Sequence, residues 1–396
     1  MPPRFTRREW LQGLGIGLGA AVISGQATRL MAQSDPGPRM PDIRHPEGKH
    51  INLAGNENPF GPSPAASLAI MQGVPGSVRY PWREEVVLGE VIASYERVKP
   101  ENIVLTNGCD ELLAIGGALA ADMGGNIVSS TPTYDWLGEY GHKSGADVHW
   151  VMHNKDTMQH DLEGFKKAID SKTALVYICN PDTPSGTMHP KAVIRDFILS
   201  LDPKIIVFLD EVYLDLLDAF DQLTLTELVH SGRKIIIGRS FSKLYALAGH
   251  RVGYAITTPE LAKQISNYKM SSMNYLGVAA AKASLYDHRF RAMSRQKIRA
   301  GREKFCALLD DLGIQYTPSI GNFVFHKTGI PIREYQEMTK AAGYIVGRPF
   351  EPYAEWCRIS IGNEKEMDGF AKFMKDTFSS CNRRVSFSNS TIFPTP

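Results

Sequence analysis

Two hydrophobic periods divide this chain. Short apolar runs flanked by turn residues predict buried strands over 51–54, 101–106, 126–130, 147–152, 173–179, 204–209, 234–238 and 252–256. Apolar residues at helical spacing predict helices over 84–95, 162–169, 261–270 and 277–286, and another apolar helix opens after Asn107. A long helix over 288–312 leads into a smaller C-terminal part with strands over 322–326 and 354–361. The stretch GNENPFGPSP, residues 55–64, is too dense in turn residues to be helical. Strands alternating with helices predict an α/β protein.

Length and charge narrow the picture. With 396 residues the chain can hold one large α/β unit and a smaller one. Its formal net charge is +2, and no basic tract is interleaved with aromatics, so nucleic acid is not an expected partner. Five cysteines, Cys109, Cys179, Cys306, Cys357 and Cys381, are scattered without a CxxC pair. That pattern indicates neither a disulfide framework nor a metal site.

The N-terminus carries its own signal. Residues 6–12, TRREWLQ, resemble the twin-arginine export consensus, and a Gly-rich, moderately apolar segment follows over 14–25. That segment is shorter than the ~20 apolar residues a membrane-spanning helix needs. The expectation is a signal peptide over 1–32, cleaved near Ala27 or Ala32, then a linker arm over 33–46. An uncleaved N-terminal anchor is the competing reading. Export places the mature protein in the periplasm, free of the membrane, and the route carries folded proteins, so a cofactor would be loaded beforehand. Residues 381–396, rich in Ser, Thr and Pro, are expected to be a disordered tail.

The chemistry centres on residues 239–251, RSFSKLYALAGHR, which follow the apolar run 234–238. Ser240, Ser242 and Arg251 are donors suited to a phosphate dianion, and Lys243 is an amine nucleophile beside them. A carbonyl compound carrying a phosphate fits that set. The segment resembles the Schiff-base lysine motif of the fold-type I enzymes that use pyridoxal 5'-phosphate (PLP). The resemblance implies that Lys243 links to the cofactor and that Ser240, Ser242 and Arg251 hold its phosphate.

Other motifs continue this resemblance in order, over residues 48–380. NENPFGPSP and the Arg79-Tyr80-Pro81 run are similar to the histidinol-phosphate aminotransferase-like branch of the class I/II aminotransferases. There the first loop lines the substrate side, which implies Asn56 as a substrate contact. The RYP tyrosine reaches the cofactor phosphate of the neighbouring subunit, so Tyr80 implies a homodimer with shared active sites. Gly108, Cys109 and Asp110 open a helix whose free N–H groups and positive dipole end suit a phosphate. An ordinary helix cap by Asn107 explains the same turn without a ligand. The match at Thr131–Tyr134 implies that Tyr134 stacks on the cofactor ring. Asp210 ends the strand 204–209, where open α/β sheets bind ligands. The resemblance implies that it holds the proton on the ring nitrogen, with Tyr213 at the phenolic oxygen. Arg358, in RISIG, is implied to fork the substrate α-carboxylate, and Arg348 to face the distal group.

One motif departs from the family. Where the family reads N-P-x-N-P-T-G, this chain reads NPDTPSG over 180–186, with Thr183 replacing the asparagine that donates to the cofactor's phenolic oxygen. Asn180 or Asp182 are the candidates to substitute. The resemblance implies an α/β fold in which a mainly parallel seven-stranded sheet lies between helices, plus a smaller α+β domain. The expected boundaries are 47–85 for the N-terminal part of the small domain, 86–290 for the PLP-binding domain and 291–380 for the C-terminal small domain. The implied activity is transfer of an amino group between a small-molecule amino donor and a 2-oxo acid acceptor. A PLP-dependent decarboxylase, lyase or racemase, or a non-catalytic relative, are the competing readings.

Overall fold

The computed structural model describes residues 50–378. The expected signal peptide, linker arm and C-terminal tail lie outside the described residues. Seven strands form the central sheet: β2 (Ile103–Thr106), β3 (Asn126–Thr131), β4 (Val148–Met152), β5 (Thr173–Cys179), β6 (Ile206–Asp210), β7 (Ile235–Ser240) and β8 (Gly253–Thr257). They lie in the order β2-β8-β7-β6-β5-β3-β4. All pairings are parallel except those of β8, which runs antiparallel to β7 and β2.

The sequence dictates this layering. Every residue of β5, β6, β7 and β8 is buried, as expected of strands covered on both faces. Their continuous apolar runs supply no polar face to turn toward water. The helix Cys109–Asp122 carries a buried stripe of Leu112, Leu113, Leu119 and Ala120. It joins the same core as Leu175, Val207 and Ile236.

A second hydrophobic cluster gathers around Leu53, Leu309, Val324, Tyr335, Ile359 and Phe370. There β1 (Ile51–Asn52) pairs in parallel with β10 (Tyr344–Ile345), and β9 (Phe323–Lys327) pairs antiparallel with β11 (Trp356–Ser360). The start of the chain segment therefore packs with its end. The helix His288–Asp311 runs unbroken through the expected boundary at 290. Helices Trp136–Lys143, Lys191–Ser200, Ile332–Ala341 and Glu364–Phe378 add to those predicted. Each buries only three residues, and the rest of its surface is half-buried or exposed.

Beneath the end of β7 lies a buried charge cluster. Arg239 is wholly buried and faces three buried carboxylates: Glu211 at 3.0 Å, Asp215 at 3.4 Å and Glu96 at 3.8 Å. Glu211 also accepts from the Thr224 hydroxyl at 2.9 Å and the Leu225 N–H at 3.2 Å. Even so, burial pushes the Glu211 carboxyl up to about 7, with Arg239 opposing the rise. Removing the guanidinium leaves the carboxylates buried and uncompensated. Arg239→Ala is expected to destabilise the fold by about 3–5 kcal/mol. Chemical denaturation followed by circular dichroism measures this; an unchanged midpoint would show that the cluster contributes nothing.

Candidate active site

The C-terminal ends of the parallel strands converge on a cavity of about 540 Å³. This is the edge of an open α/β sheet where ligands are held. Lining it are Asn56, Cys109, Asp110, Tyr134, Thr183, Asp210, Tyr213, Ser240, Ser242, Lys243, Arg251, Arg348 and Arg358. Residues from opposite ends of the chain thus share one space. Gly108, Asn180 and Tyr80 do not border the cavity.

Strand register sets the floor. Asp210 is the last residue of β6, opposite Cys179 of β5 and Gly238 of β7. Its carboxylate accepts from the Tyr177 hydroxyl at 3.0 Å and from the Val212 N–H at 3.1 Å. Burial pushes its carboxyl up to about 6, while those two donors hold it down. A cationic ring nitrogen is the partner such a carboxylate lacks. Tyr177 lies inside an apolar run, and the sequence reading passed over it as core.

Lys243 stands on the loop after β7, half-buried, with its ammonium donating to the Gly55 carbonyl at 3.3 Å. Burial, reinforced by the positive charge of Arg358, lowers the lysine to about 8. The loop is rigidly held: Phe241, Leu244, Tyr245 and Leu247 are buried. Asn58 donates to the Leu244 carbonyl at 2.7 Å and ties the GNENP loop to it. Ala246 and Arg251 adopt left-handed backbone, with φ of 56° and 52°. Such conformations cost energy and persist where the surroundings enforce them.

The phosphate side is equally specific. The helix Cys109–Asp122 begins without a side-chain cap, because Asn107 turns back to meet the Glu111 carboxylate. The reading of Asn107 as an ordinary cap is therefore corrected. Gly108 has φ of +80°, and a Cβ there would lie 2.3 Å from Arg251 Nη2. Only glycine lets the guanidinium approach the helix start. Arg251 donates to Asp110 at 2.7 Å, and the Tyr134 hydroxyl donates to the same carboxylate at 2.9 Å. The Ser242 N–H donates to Ser240 Oγ at 3.0 Å.

On the substrate side, Arg358 sits at the centre of β11. It donates to the Thr183 hydroxyl at 2.9 Å and to the Ala54 carbonyl at 2.6 Å, and its buried Nε has no partner. No carboxylate of the described residues pairs with it. Burial lowers its pKa, with the nearby Tyr213 opposing. Asn56 donates to the Tyr213 hydroxyl at 2.9 Å and takes the Ser360 hydroxyl at 3.1 Å, so it couples β11 to Tyr213. Burial raises the Tyr213 phenol, which stays protonated.

The NPDTPSG loop answers the question its sequence posed. Neither Asn180 nor Asp182 substitutes at the cavity. Asn180 is spent on His189, accepting from its N–H at 2.8 Å and donating to its carbonyl at 3.3 Å. Asp182 is buried behind the loop, accepting from Thr133 at 2.9 Å and Ser185 at 2.7 Å, with His153 and His160 within 3.7 Å. His160 Nε2 lies 2.7 Å from the Cys179 carbonyl, which only accepts, so that nitrogen carries a proton. Thr183 reaches the cavity, and its hydroxyl belongs to Arg358.

The residues present fit PLP. A carboxylate on the floor suits the ring nitrogen, a depressed lysine suits the aldehyde, and a cradle of two serines, one arginine and an uncapped helix start suits the phosphate. Tyr80 is 73% exposed and stacks on Trp82 at 5.5 Å, outside this cavity. Asp135, Glu57 and Phe350 also line the cavity, and the sequence reading missed all three. Asp135 directly follows the matched Tyr134, which was the available signal.

Comparison with known proteins agrees with this geometry. Residues 48–374 match the model of the family described as aminotransferase class I and II. The chain is 32% identical over 333 residues to the histidinol-phosphate aminotransferase of Moorella thermoacetica, covering 82% of this chain and 85% of that protein. A solved structure of a putative histidinol-phosphate aminotransferase from Erwinia carotovora atroseptica superimposes with a TM-score of 0.80 at 32% identity, covering 84% of this chain and 97% of that one. The Sinorhizobium meliloti histidinol-phosphate aminotransferase, solved with PLP bound, gives a TM-score of 0.76 at 27% identity and covers 91% and 99%. The cavity with Lys243, Asp210 and Arg251 at its centre, together with these relatives, makes the chain a member of the class I and II aminotransferases, PLP-dependent transaminases of fold-type I.

Proposed function

We propose that this aminotransferase moves an amino group between an amino acid, or an amino-acid group of a secreted metabolite, and a 2-oxo acid. It works as an exported homodimer with shared active sites. Arg358 carries the substrate half of this reading: a guanidinium inside the cavity whose hydrogen-bond partners among the described residues are a hydroxyl and a carbonyl. A planar carboxylate is the bidentate partner it lacks. Overall, one amino acid becomes its 2-oxo acid while another 2-oxo acid becomes an amino acid, so the amino group and two electrons move together.

When bound, PLP supplies an electrophilic carbonyl and a ring that accepts the electron pair of the substrate's Cα–H bond. The chain's residues do the rest. Arg358 fixes the α-carboxylate and so orients Cα. Lys243, with its pKa lowered to about 8, gives up its proton far more readily than a solvated lysine and would act as the base toward the Cα proton. Asp210, held by Tyr177 and the Val212 N–H, would supply the negative charge that keeps the cofactor's ring nitrogen protonated. Tyr213, positioned by Asn56, would offer a hydroxyl to the cofactor's phenolic oxygen.

The dimer is supported by Tyr80, which the family resemblance assigns to the neighbouring subunit's phosphate and which does not line its own chain's cavity. It stacks on the exposed Trp82, and Met71, Val78 and Val86 nearby in the chain are exposed apolar residues that a second copy would cover. Export is supported by the TRREWLQ pattern alone. No helix of the described residues is long and apolar enough to cross a membrane. A second reading, a histidinol-phosphate donor, is favoured by the names of the relatives.

Three outcomes check this. Purified protein is expected to show the visible absorption band of bound PLP and to convert an amino donor to its 2-oxo acid; Lys243→Ala is expected to lose turnover altogether, and full activity in that variant would remove Lys243 from the chemistry. Coexpressed Tyr80→Phe and Lys243→Ala chains are expected to regain activity that neither variant shows alone, since one hybrid site combines an intact Lys243 with the partner's intact tyrosine. No gain in the mixed dimer would place Tyr80 outside the partner's site. Replacing Arg7 and Arg8 together by Lys is expected to hold the protein in the cytoplasmic fraction; an unchanged periplasmic signal would refute export by this route.

A further inference from the structure

The substrate half of the cavity contains a charge arrangement that none of the motifs announced. Asp135 is the N-cap residue of the helix Trp136–Lys143, yet its side chain makes no capping hydrogen bond. An aspartate there ordinarily accepts from the first-turn N–H groups. Instead its carboxylate accepts from Arg348 Nη2 at 2.9 Å, joining residues 213 positions apart. The guanidinium of Arg348 lies 4.5 Å from the Phe350 ring centre, and that of Arg358 lies 5.2 Å from the same ring. Phe350 thus stands against both arginines, of which only Arg348 has a carboxylate. Glu57 lines the same half and accepts from Asn52 at 3.3 Å.

The charges are unevenly matched. Arg348 is already met by the Asp135 carboxylate, Glu57 acts on Lys243, and Arg358 has no carboxylate among the described residues. An α-carboxylate on Arg358 supplies that partner. A second anion on the substrate would meet the Asp135 carboxylate and would have to displace it from Arg348. A cation on the substrate is attracted to that carboxylate. The aromatic walls on this side, Trp136 and Phe350, favour a flat cation over a compact one.

We propose that Asp135 is a specificity-determining residue. By occupying Arg348 it sets this site for amino acids whose side chain ends in a planar cation, and against dicarboxylates and phosphate monoesters. This rests on the transaminase reading above, because Arg358 must take the α-carboxylate. Asp135 is placed at the far end of the substrate and takes no part in moving the proton. Its effect is a choice between ligands.

The test compares two carboxylates without a reactive amine, glutarate and 4-guanidinobutanoate, by calorimetric titration of the PLP-loaded enzyme. Wild-type protein is expected to bind 4-guanidinobutanoate at least tenfold more tightly than glutarate. Asp135→Asn, which keeps the side chain's shape but removes the negative charge facing Arg348, is expected to shrink that ratio by at least tenfold, with glutarate gaining. Asp135→Glu is expected to retain the wild-type order. Asp135→Ser serves as the second neutral variant should Asp135→Asn fail to fold. Tighter glutarate binding by the wild type, or a ratio unchanged in the neutral variants, overturns the proposal. Failure of the transaminase reading shows separately, as wild-type protein that takes up no PLP or transfers no amino group.

Discussion

Arg239 is enclosed by protein on every side, and three carboxylates from two parts of the chain converge on it. A guanidinium without water is tolerable only if its charge is met locally. That requirement binds together the helix Trp82–Glu96, which brings Glu96, the turn after β6, which brings Glu211 and Asp215, and the end of β7. Asp210 precedes Glu211, and Ser240 follows Arg239. The cluster therefore fixes the distance between the floor carboxylate and the lysine loop. Catalytic placement depends on a set of charges that never touches the cavity.

Above that anchor, burial does two opposite things. It raises Asp210 to about 6 and lowers Lys243 to about 8, bringing a carboxylate and an amine toward each other's range near neutral pH. Each group then waits for a charged or electrophilic partner that a bound cofactor supplies. Arg358 follows the same logic on the substrate side, with a hydroxyl and a carbonyl where a carboxylate belongs. The cavity is built from groups whose best partners come from outside the chain.

The fold was largely legible because its central strands are continuous apolar runs, and only strands covered on both faces can use such runs. The helices Ile332–Ala341 and Glu364–Phe378 escaped notice because few positions on each are buried, Ile332, Tyr335 and Thr339 on one and Met367, Phe370 and Met374 on the other. In the site, residues at strand ends were readable from local motifs. Tyr177 was not, since a buried tyrosine in a strand looks like core until its hydroxyl is seen at Asp210.

By itself the sequence determined the α/β layering, the lysine with its phosphate donors, the carboxylate at the end of β6 and the arginine in RISIG. These are local patterns, each carried by a few consecutive residues and placed by the strand that precedes or contains them. Only the tertiary structure decided that Asn180 serves His189, that Thr183 serves Arg358 across 175 positions, and that Asp135 leaves its helix cap to hold Arg348. The physical reason is that a short polar side chain has several partners of similar worth. Which one it takes is fixed by what the folded backbone brings within about 3 Å, and spacing along the chain does not encode that distance.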